Sequence, residues 1–395
     1  MREIKKIALM AVGDSAWQGG IQYIINILNA LDAVADGKLI EVHLFKSNSQ
    51  HFSDLNNFKK IRLIVRSIEE VIPAFTFGNR LFWFLQRTLL GRINPRYENY
   101  LLREKFDYVF PATLSDCGGR LNAGAWIADF QYHHFPEGHS AEITLQAEKT
   151  ISFIAKNTKK IILSSLFCEN DSFRLFPETR SKTSVMPFSV YINEAHLNAE
   201  SLLKVRDIYG IDGSFLMVSN LFGATKNHKT LFEALGILRK QGIKIKLVCT
   251  GNFVNYAKME FTNEVLQMIT ENGIRDQLYI LGLIPREHQV ALYRLSMAMV
   301  QPSINEGWST CVEEAKALGK TLLLSDIDVH KEQYPDNPFF FKALNPSDLA
   351  MKIKEVTGSL QGKEFPDMGT EKEALTKYSR DIKSFGENFL AIASL

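Results

Sequence analysis

The sequence has few cysteines, almost no net charge and no long hydrophobic run. Its four cysteines lie far apart with no C-x-x-C pair, which argues against a disulfide framework or a zinc site and favours a reducing compartment. The 46 Lys and Arg residues against 44 Asp and Glu residues leave a net charge of +2, so the overall charge does not indicate a nucleic-acid partner. No uncharged stretch approaches the roughly 20 residues that span a bilayer, and the apolar run Ile7–Val12 is too short for a signal-peptide core. We therefore expect a cytoplasmic protein.

The rest of the composition is ordinary for a globular chain. Hydrophobic residues make up 46% and charged residues 23% of the 395 residues, which excludes large-scale disorder. At roughly 100–200 residues per domain, the length predicts two domains, or three at most. Strand-like apolar runs alternate with segments of helical periodicity, which predicts an α/β fold of parallel sheets with helices on both faces.

The predicted strands fall into two series. The first comprises Ile7–Val12, Ile40–Leu44, Ile61–Val65, Tyr108–Phe110, Ala125–Ile127 and Ile161–Ser164. The second comprises Phe215–Val218, Lys246–Thr250, Leu278–Leu281, Ala298–Gln301 and Thr321–Ser325. Each series has the size of one doubly wound domain, in which ligands bind at the carboxyl ends of the strands. We expect the two domains to face each other across a cleft that holds the ligand.

The polar stretch Pro187–Ser214 is the predicted boundary between the two halves. It assigns the domains to residues 1–195 and 196–370. Residues 371–395 carry apolar side chains at alternating spacings of three and four, which predicts a strongly amphipathic helix. Whether this helix packs on the second domain or crosses back to the first stays open.

The segment EGWSTCVEEAKALG has the clearest chemical character. A strand ends at Gln301–Pro302, and a helix is predicted to begin near Thr310, with Glu313 three residues on as its capping-box partner. The backbone amides of Ser309, Thr310 and Cys311 would then point away from the helix N-terminus at the end of a strand. Together with the helix dipole, they form an anion site suited to a diphosphate.

Two carboxylates bracket this anion site. Glu306 precedes it and Glu314 lies one helical turn beyond it. Carboxylates repel phosphate but accept hydrogen bonds well from sugar hydroxyls. Taken alone, Glu314 is equally an acid that compensates the helix dipole, and Glu306 is equally a solvated loop acid. Their joint placement around the Gly-Trp-Ser-Thr turn favours sugar binding.

This segment resembles the glutamate–seven residues–glutamate signature of retaining glycosyltransferases of family 4, which have the GT-B fold of two Rossmann-like domains facing a central cleft. The resemblance implies that Glu306 contacts the donor sugar and that Glu314 binds the ribose of the nucleotide. In VSNLFGATKNHKTLFEAL, Lys226 matches the family's phosphate-binding lysine, whereas Asn220 stands where many members have an arginine and offers only neutral hydrogen bonds. In LGLIPREHQVALY, Gly282 lies in a stretch similar to the family's nucleobase-binding loop.

In the first half, GDSAWQGGIQYIINIL resembles the family's paired glycines, which implies that the backbone at Gly19 and Gly20 approaches the donor phosphate. Paired glycines also make simple tight turns. The stretch AWIADFQYHHFPE resembles the family's DFQ-x-x-H, where a histidine approaches the donor sugar. His134 is the better match and His133 the lesser one, although a loop histidine is more often structural or exposed. We predict that His134 steadies the sugar or the acceptor.

No metal or cofactor is expected. Adjacent histidines without further ligands at suitable spacing make a poor metal site. Asp326-Ile327-Asp328 has the form of the D-x-D metal motif of another glycosyltransferase fold. GT-B enzymes hold the diphosphate with helix N-termini and cations, so we do not interpret this tripeptide as a metal site.

Residues 75–97 form an apolar and basic segment. Positions 80 to 105 contain six basic residues and two acidic ones. This composition is typical of a contact with anionic lipid and equally of a core helix with a solvated basic edge. Peripheral contact with the inner face of a membrane stays an open alternative.

These features predict a retaining glycosyltransferase that moves a sugar from a nucleotide-sugar donor to a saccharide or lipid-linked acceptor. The resemblance is to bacterial enzymes that assemble surface polysaccharides such as O-antigen or capsule, with the acceptor on the first domain and the donor on the second. Two alternatives stay open. One is a non-catalytic nucleotide-sugar-binding protein, which the missing arginine allows, and the other is a different GT-B enzyme such as a sugar-nucleotide epimerase.

Overall fold

The computed structural model describes residues 3–14, 17–37, 39–52, 55, 58–71, 95–112, 120–136, 140–253, 259–334 and 336–395. The chain divides into two compact units: Met1–Tyr191 with Arg380–Leu395, and Ile192–Ser379. The predicted boundaries lay at 195/196 and 370/371. Residues 75–94 of the predicted membrane-contact segment lie outside the described residues.

The first unit is built on parallel strands. One sheet has the order β3-β2-β1-β4, with β1 at Lys6–Met10, β2 at Ile40–Lys46, β3 at Ile61–Ser67 and β4 at Tyr108–Phe110. A second sheet has the order β5-β6-β7, with strands Ala125–Ile127, Ile161–Leu163 and Thr183–Val185. An isolated parallel bridge joins Val109 of β4 to Ala123, two residues before β5. The helices of this unit are α1 (Gln18–Val34), α2 (Ile68–Val71), α3 (Pro95–Glu104), α4 (Gln131–His134), α5 (Ala141–Asn157) and α6 (Leu166–Leu175).

The second unit contains a six-stranded parallel sheet with the order β10-β9-β8-β11-β12-β13. Its strands are β8 (Phe215–Ser219), β9 (Lys246–Thr250), β10 (Leu278–Gly282), β11 (Ala298–Gln301), β12 (Thr321–Ser325) and β13 (Phe340–Phe341). Its helices are α7 (Ala199–Tyr209), α8 (His228–Lys240), α9 (Met259–Glu271), α10 (Arg286–Leu295), α11 (Thr310–Ala317), α12 (Asp328–Gln333) and α13 (Pro346–Ser359). Single 3-10 turns occur at Pro177–Thr179, Glu194–Leu197, Ala224–Lys226 and Arg275–Gln277.

The last helix, α14 (Met368–Ser394), begins in the second unit and ends in the first. Phe389 is buried there, and its ring meets those of Tyr108 and Phe110 edge-on at centroid distances of 5.7 and 5.4 Å. Gly386 allows a close approach, since a Cβ at this position would lie 2.3 Å from the carbonyl oxygen of Ala30. The amphipathic pattern of this segment thus buries its aromatic face against β4 and α1.

The strand order of the second unit reverses between β8 and β11. The chain runs outward from β8 through β9 to β10 and then crosses over to β11 on the other side of β8. In open α/β sheets, ligands bind at such a switch point, outside the carboxyl ends of the strands. The loops that follow Ser219 and Gln301 therefore lie where a ligand site is expected.

The predicted fold class, two doubly wound Rossmann-like domains, is confirmed. Predicted and observed strands agree within two residues at either end. The sequence prediction missed β7 and β13. Thr183–Val185 has no fully buried residue, and Phe340–Phe341 is only two residues long, so neither has an apolar run to detect.

Candidate functional site

Two amide side chains lie at the switch point of the second unit. Asn220 follows β8 and Gln301 ends β11, and both are buried. Asn220 Nδ2 donates to Gln301 Oε1 at 2.6 Å, and Gln301 Nε2 makes a longer contact of 3.4 Å with Asn220 Oδ1. Asn220 thus contacts a neighbouring amide, at the position where many members of the family it resembles have an arginine.

Glu306 receives two donors on the same oxygen. Lys226 Nζ donates to Glu306 Oε1 at 2.6 Å, and Gln301 Nε2 donates to it at 3.1 Å. The Glu306 side chain is only 9% exposed and that of Lys226 is 20% exposed. This ion pair forms in a largely desolvated setting, where charge–charge interactions are stronger than at a surface.

The loop that carries Lys226 is tied to the loop that carries Glu306. Asn227 adopts a left-handed conformation, with φ of 53°, and its Nδ2 donates to the carbonyl oxygens of Pro302 at 3.0 Å and Ala343 at 2.7 Å. Backbone N–H of Ile304 donates to the carbonyl oxygen of Thr225 at 2.9 Å. These bonds place the lysine and the glutamate side by side although 80 residues separate them in the chain.

Helix α11 begins at Thr310 as predicted, but the predicted capping box is wrong. Ser309 is the N-cap, and its side chain accepts no capping hydrogen bond from the helix. The Glu313 carboxylate is used elsewhere, because it binds Lys316 Nζ at 3.0 Å, Gln333 Nε2 at 2.8 Å and the hydroxyl of Tyr378. Glu313 therefore stabilises the packing around the helix.

The predicted anion site is smaller than expected. The Ser309 amide donates to Gln333 Oε1 at 3.3 Å, so it is engaged within the protein. The amides of Thr310 and Cys311 lie in the first turn of α11, where no intrahelical acceptor is available. Two of the three predicted amides thus keep the geometry that an anion requires.

Cys311 closes the inner side of this helix N-terminus. Its thiol donates to the carbonyl oxygen of Ser219 at 2.6 Å. Burial, together with the negative charges of Glu314 and Glu306, raises the pKa of the Cys311 thiol to about 12. The sulfur therefore stays protonated at neutral pH, so the uncharged thiol lines the site and does not act as a nucleophile.

Glu314 is paired with an arginine that the sequence analysis did not single out. Arg286 Nη2 lies 2.7 Å from Glu314 Oε1, and the Glu314 side chain is only 4% exposed. Arg286 begins α10 directly after Pro285. Four residues earlier, Gly282 has a φ of +68°, a left-handed conformation that favours glycine, and its carbonyl oxygen accepts from the amide of Gly251 at 2.8 Å.

A buried histidine stands behind the Glu306 loop. His330 Nδ1 lies 3.1 Å from the carbonyl oxygen and 3.0 Å from the hydroxyl of Ser325, whose Oγ donates to the carbonyl oxygen of Ser303. Because that hydroxyl proton is already committed, Nδ1 carries the hydrogen and donates to Ser325. Burial lowers the pKa of His330 to about 4, against a smaller opposing effect of Glu306.

In the first unit, the two predicted glycines have different surroundings. A Cβ on Gly20 would lie 2.8 Å from both Cα and N of Gly13, so Gly20 is required by the packing of α1 on the preceding loop. A Cβ on Gly19 would meet only the indole of Trp17, at 3.3 Å. The structure thus gives Gly20 a packing role, and a ligand-binding role for either glycine stays a prediction.

His134 ends the short helix α4 and pairs with Asp171 on α6. Asp171 is buried and also accepts from Arg174 Nη2 at 2.7 Å, while His133 Nε2 lies 3.1 Å from Arg174 Nη1. The His134 side chain is 28% exposed and its ring stacks on Phe167. A histidine held by a buried carboxylate has a fixed orientation. No hydrogen bond joins His134 to Gly19 or Gly20.

Within the described residues, no group of three or more His, Cys, Asp or Glu side chains could hold a metal ion. Asp326 Oδ1 accepts from the amide of Ala343 at 3.1 Å, and Asp328 lies in the first turn of α12. Among the helices in the described ranges, none combines the length and the apolar character needed to cross a bilayer.

The arrangement contains groups suited to the separate parts of a nucleotide sugar. A helix N-terminus and Lys226 suit phosphate oxygens, and buried carboxylates on either side suit hydroxyl groups. Sequence reasoning identified Glu306, Glu314 and Lys226 but missed Arg286 and Gln301. The available signal for Gln301 was a polar residue at the end of an otherwise apolar strand.

Comparison with known proteins agrees with this chemistry. Residues 202–360 match the model of the family described as glycosyl transferases group 1. A curated relative, the O-antigen chain mannosyltransferase B of Escherichia coli, is 24% identical over 302 residues, which cover 74% of this chain and 76% of the relative.

Solved structures with the same fold include HepE of Anabaena in complex with UDP and glucose. That structure is 16% identical, has a TM-score of 0.65 and matches 100% of both chains. The sucrose-phosphate synthase of Thermosynechococcus elongatus is also 16% identical, with a TM-score of 0.61 over 98% of this chain and 96% of that one. The chain has the GT-B fold of these structures, and residues 202–360 of its second unit match the group 1 glycosyl transferase model.

Proposed function

We propose that this enzyme is a retaining, family 4 hexosyltransferase that moves a sugar from a nucleotide-sugar donor to a glycan or lipid-linked saccharide during bacterial surface-polysaccharide synthesis. The observation that carries the proposal is the pair Glu306 and Glu314, which flank the N-terminus of α11 at the switch point of the second unit. Each carboxylate is buried and held by its own cation, Lys226 or Arg286.

The donor would be bound in three parts. The amides of Thr310 and Cys311 receive phosphate oxygens together with Lys226. Glu314 accepts hydrogen bonds from the ribose hydroxyls, and Glu306 accepts them from the sugar hydroxyls. Gly282 and the residues that follow it would contact the nucleobase with their backbone.

Lys226 connects substrate binding to chemistry. A diphosphate carries two negative charges and competes with Glu306 for the ammonium group of Lys226. As the glycosidic bond breaks, negative charge grows on the leaving diphosphate, and Lys226 and the helix amides stabilise it. The acceptor hydroxyl attacks from the face that the diphosphate leaves, and a phosphate oxygen takes its proton. The proposal requires no metal or cofactor.

The first unit would act on the transferred sugar and the acceptor. The imidazole of His134, oriented by Asp171, would hydrogen-bond to the sugar or the acceptor. The amide backbone at Gly19 would approach the donor phosphate. The mannosyltransferase named above supports a hexose donor and a polysaccharide acceptor. Cytoplasmic location, with contact to the inner face of the membrane through residues 75–97, completes the proposal.

Thermal unfolding with a panel of UDP- and GDP-sugars tests this function. A ligand present at 100 times its dissociation constant stabilises a protein by about 2.7 kcal/mol, so at least one donor should raise the melting temperature by several degrees. Lys226→Met should lose most of this shift. Lys229→Met is the matched control, because Lys229 is exposed on the same stretch of chain and should retain the shift.

The proposal fails if no nucleotide sugar stabilises the wild type. The retaining mode is checked separately, by nuclear magnetic resonance of the sugar released when the bound donor is slowly hydrolysed. An initial anomer that matches the donor supports retention, and the opposite anomer contradicts it.

A further inference from the structure

We propose that Gln301 is a positioning residue that orients the Glu306 carboxylate, so that one oxygen is held within the protein and the other is presented to the sugar of the donor. The inference rests on the proposed function and assigns a role to a residue outside the glutamate signature. It also gives Asn220 a role that does not involve phosphate.

The hydrogen bonds of Gln301 use the whole amide group. Its Nε2 has two hydrogens, and these point at Glu306 Oε1, 3.1 Å away, and at Ser309 Oγ, 2.9 Å away. Its Oε1 accepts from Asn220 Nδ2 at 2.6 Å. The side chain is fully buried, so no water competes for these bonds.

The direction of this network is fixed by chemistry. A carboxylate only accepts hydrogen bonds, so the NH₂ end of Gln301 must face Glu306. The oxygen of Gln301 then needs a donor, and Asn220 Nδ2 is that donor. An arginine at position 220 would be charged and fork-shaped, whereas the asparagine amide fits between Gln301 and the thiol of Cys311, whose sulfur lies 3.7 Å from Asn220 Oδ1.

Gln301 can keep its hydrogen bond to Glu306 throughout the reaction, which Lys226 cannot do. Both residues donate to Oε1 of Glu306, and no residue in the described ranges hydrogen-bonds or pairs with Oε2. When a diphosphate attracts the ammonium group of Lys226, Glu306 loses part of its ion pair. The Gln301 side chain is buried and uncharged, so the diphosphate does not attract it, and its hydrogen bond persists and keeps Oε2 directed at the ligand.

The test compares two ligands on one variant. Gln301→Met preserves the size of the side chain and removes its hydrogen bonds. Isothermal titration calorimetry measures the affinity for the nucleotide sugar that stabilises the wild type and for the nucleoside diphosphate that it contains. We expect the variant to lose about tenfold in affinity for the nucleotide sugar, the size of one hydrogen bond to a charged group. Its affinity for the nucleoside diphosphate should change less than twofold.

Gln277→Met is the matched control. Gln277 is equally buried, its amide atoms have no hydrogen-bond partner among the described residues, and it lies before β10. This variant should leave both affinities unchanged. If Gln301→Met does not fold, Asn220→Ala is measured in the same way, because it frees the Gln301 amide to turn and should give the same sugar-selective loss.

A double-mutant cycle with Glu306→Gln separates positioning from a general structural role. In the Glu306→Gln background, Gln301→Met should cost less than twofold in sugar affinity, because there is no carboxylate left to orient. An equal loss for both ligands, or no loss for either, overturns the inference. A wild type that binds no nucleotide overturns the proposed function as well, whereas wild-type binding without a sugar-selective loss overturns this inference alone.

Discussion

In the second unit, Lys226 and Gln301 both donate hydrogen bonds to Glu306, whereas in the first unit Gly20 packs against Gly13 and His134 pairs with Asp171. The two predicted glutamates of the second unit are buried, and Lys226, which pairs with Glu306, lies 80 residues away in the chain. The predicted residues of the first unit are a glycine packed on a loop and a histidine that is partly exposed. One unit therefore contains an assembled polar network, and the other contains separate local features.

The difference follows from the physics of burial. A charge taken out of water must be paired, so a buried glutamate predicts a partner close by. Arg286 is that partner for Glu314, and Lys226 is that partner for Glu306, with a further hydrogen bond from Gln301. A glycine or a partly exposed histidine does not need a charged partner, so its contacts are weaker evidence for a ligand site.

Removing the Glu314 carboxylate should have the largest effect and would test the comparison most directly. Glu314→Ala leaves Arg286 without its partner in a largely buried position, which should cost about 3–4 kcal/mol of unfolding free energy. It should also weaken nucleotide binding at least tenfold, a loss of about 1.4 kcal/mol, through loss of the ribose acceptor. Urea unfolding and calorimetric titration measure the two effects.

The double variant Glu314→Ala with Arg286→Met separates these two roles. Replacing both partners by apolar groups removes the unpaired charge and should restore most of the stability. Nucleotide affinity should stay low. Unchanged affinity in Glu314→Ala contradicts the ribose role, and the second unit would then resemble the first, with a network that serves only packing.

Acid should destabilise the second unit through its buried histidines. The pKa of His330 is about 4 in the folded protein and about 6.5 in an unfolded chain, so the unfolded state binds more protons between these values. Stability is therefore lost as the pH falls from about 6.5 to 4, by about 2–3 kcal/mol for this group. Burial also lowers the pKa of His228, to about 3, which acts in the same direction.

Hydrogen exchange of the β8 and β11 amides between pH 4 and 7, corrected for intrinsic rates, measures this loss within the second unit. His330→Phe should flatten the pH dependence. His51→Asn is the control, because His51 is exposed in the first unit and should leave the profile unchanged. An unchanged slope in His330→Phe would show that this histidine is not what makes the site acid-sensitive.

Adding a methyl group at the two glycines tests the interpretation of the first unit. Gly20→Ala would force Cβ against the backbone of Gly13 and should cost about 2 kcal/mol of unfolding free energy. Gly19→Ala meets only the side chain of Trp17 and should cost less than about 1 kcal/mol. Thermal unfolding compares the two. Equal effects would contradict the packing role assigned to Gly20.

The fold could be predicted because the spacing of apolar residues in the sequence matches the pattern of burial in the structure. Strands such as Ala298–Gln301 and Thr321–Ser325 are short apolar runs between turn residues, and the structure keeps their bounds as predicted. Thr183–Val185 and Phe340–Phe341 lack such a run, since they are only partly buried or very short, and were missed.

The site was predictable to the extent that its residues form one local motif. Glu306 and Glu314 share a segment with the helix N-terminus between them, so their spacing could be recognised. Gln301 and Arg286 act through three-dimensional contacts that no spacing reveals. The capping box failed for the same reason, because Glu313 meets Tyr378 and Gln333 only after folding.

His134 gives the smallest expected effect and the sharpest separation of the two units. His134→Gln keeps a hydrogen-bonding side chain but loses the ring held by Asp171, and it should lower turnover of the donor about fivefold, a loss of about 1 kcal/mol. Nucleoside diphosphate affinity should not change, since the contacts proposed for His134 are with the sugar or the acceptor. His133→Gln is the control, because His133 contacts Arg174 on the exposed side and should leave turnover unaltered.

Normal turnover in His134→Gln would mean that the imidazole serves only to anchor α4, and a loss of nucleotide affinity would mean that its role is not confined to the sugar or the acceptor. A fall in turnover alone would show that a residue without the buried network of Glu306 still acts on the transferred sugar.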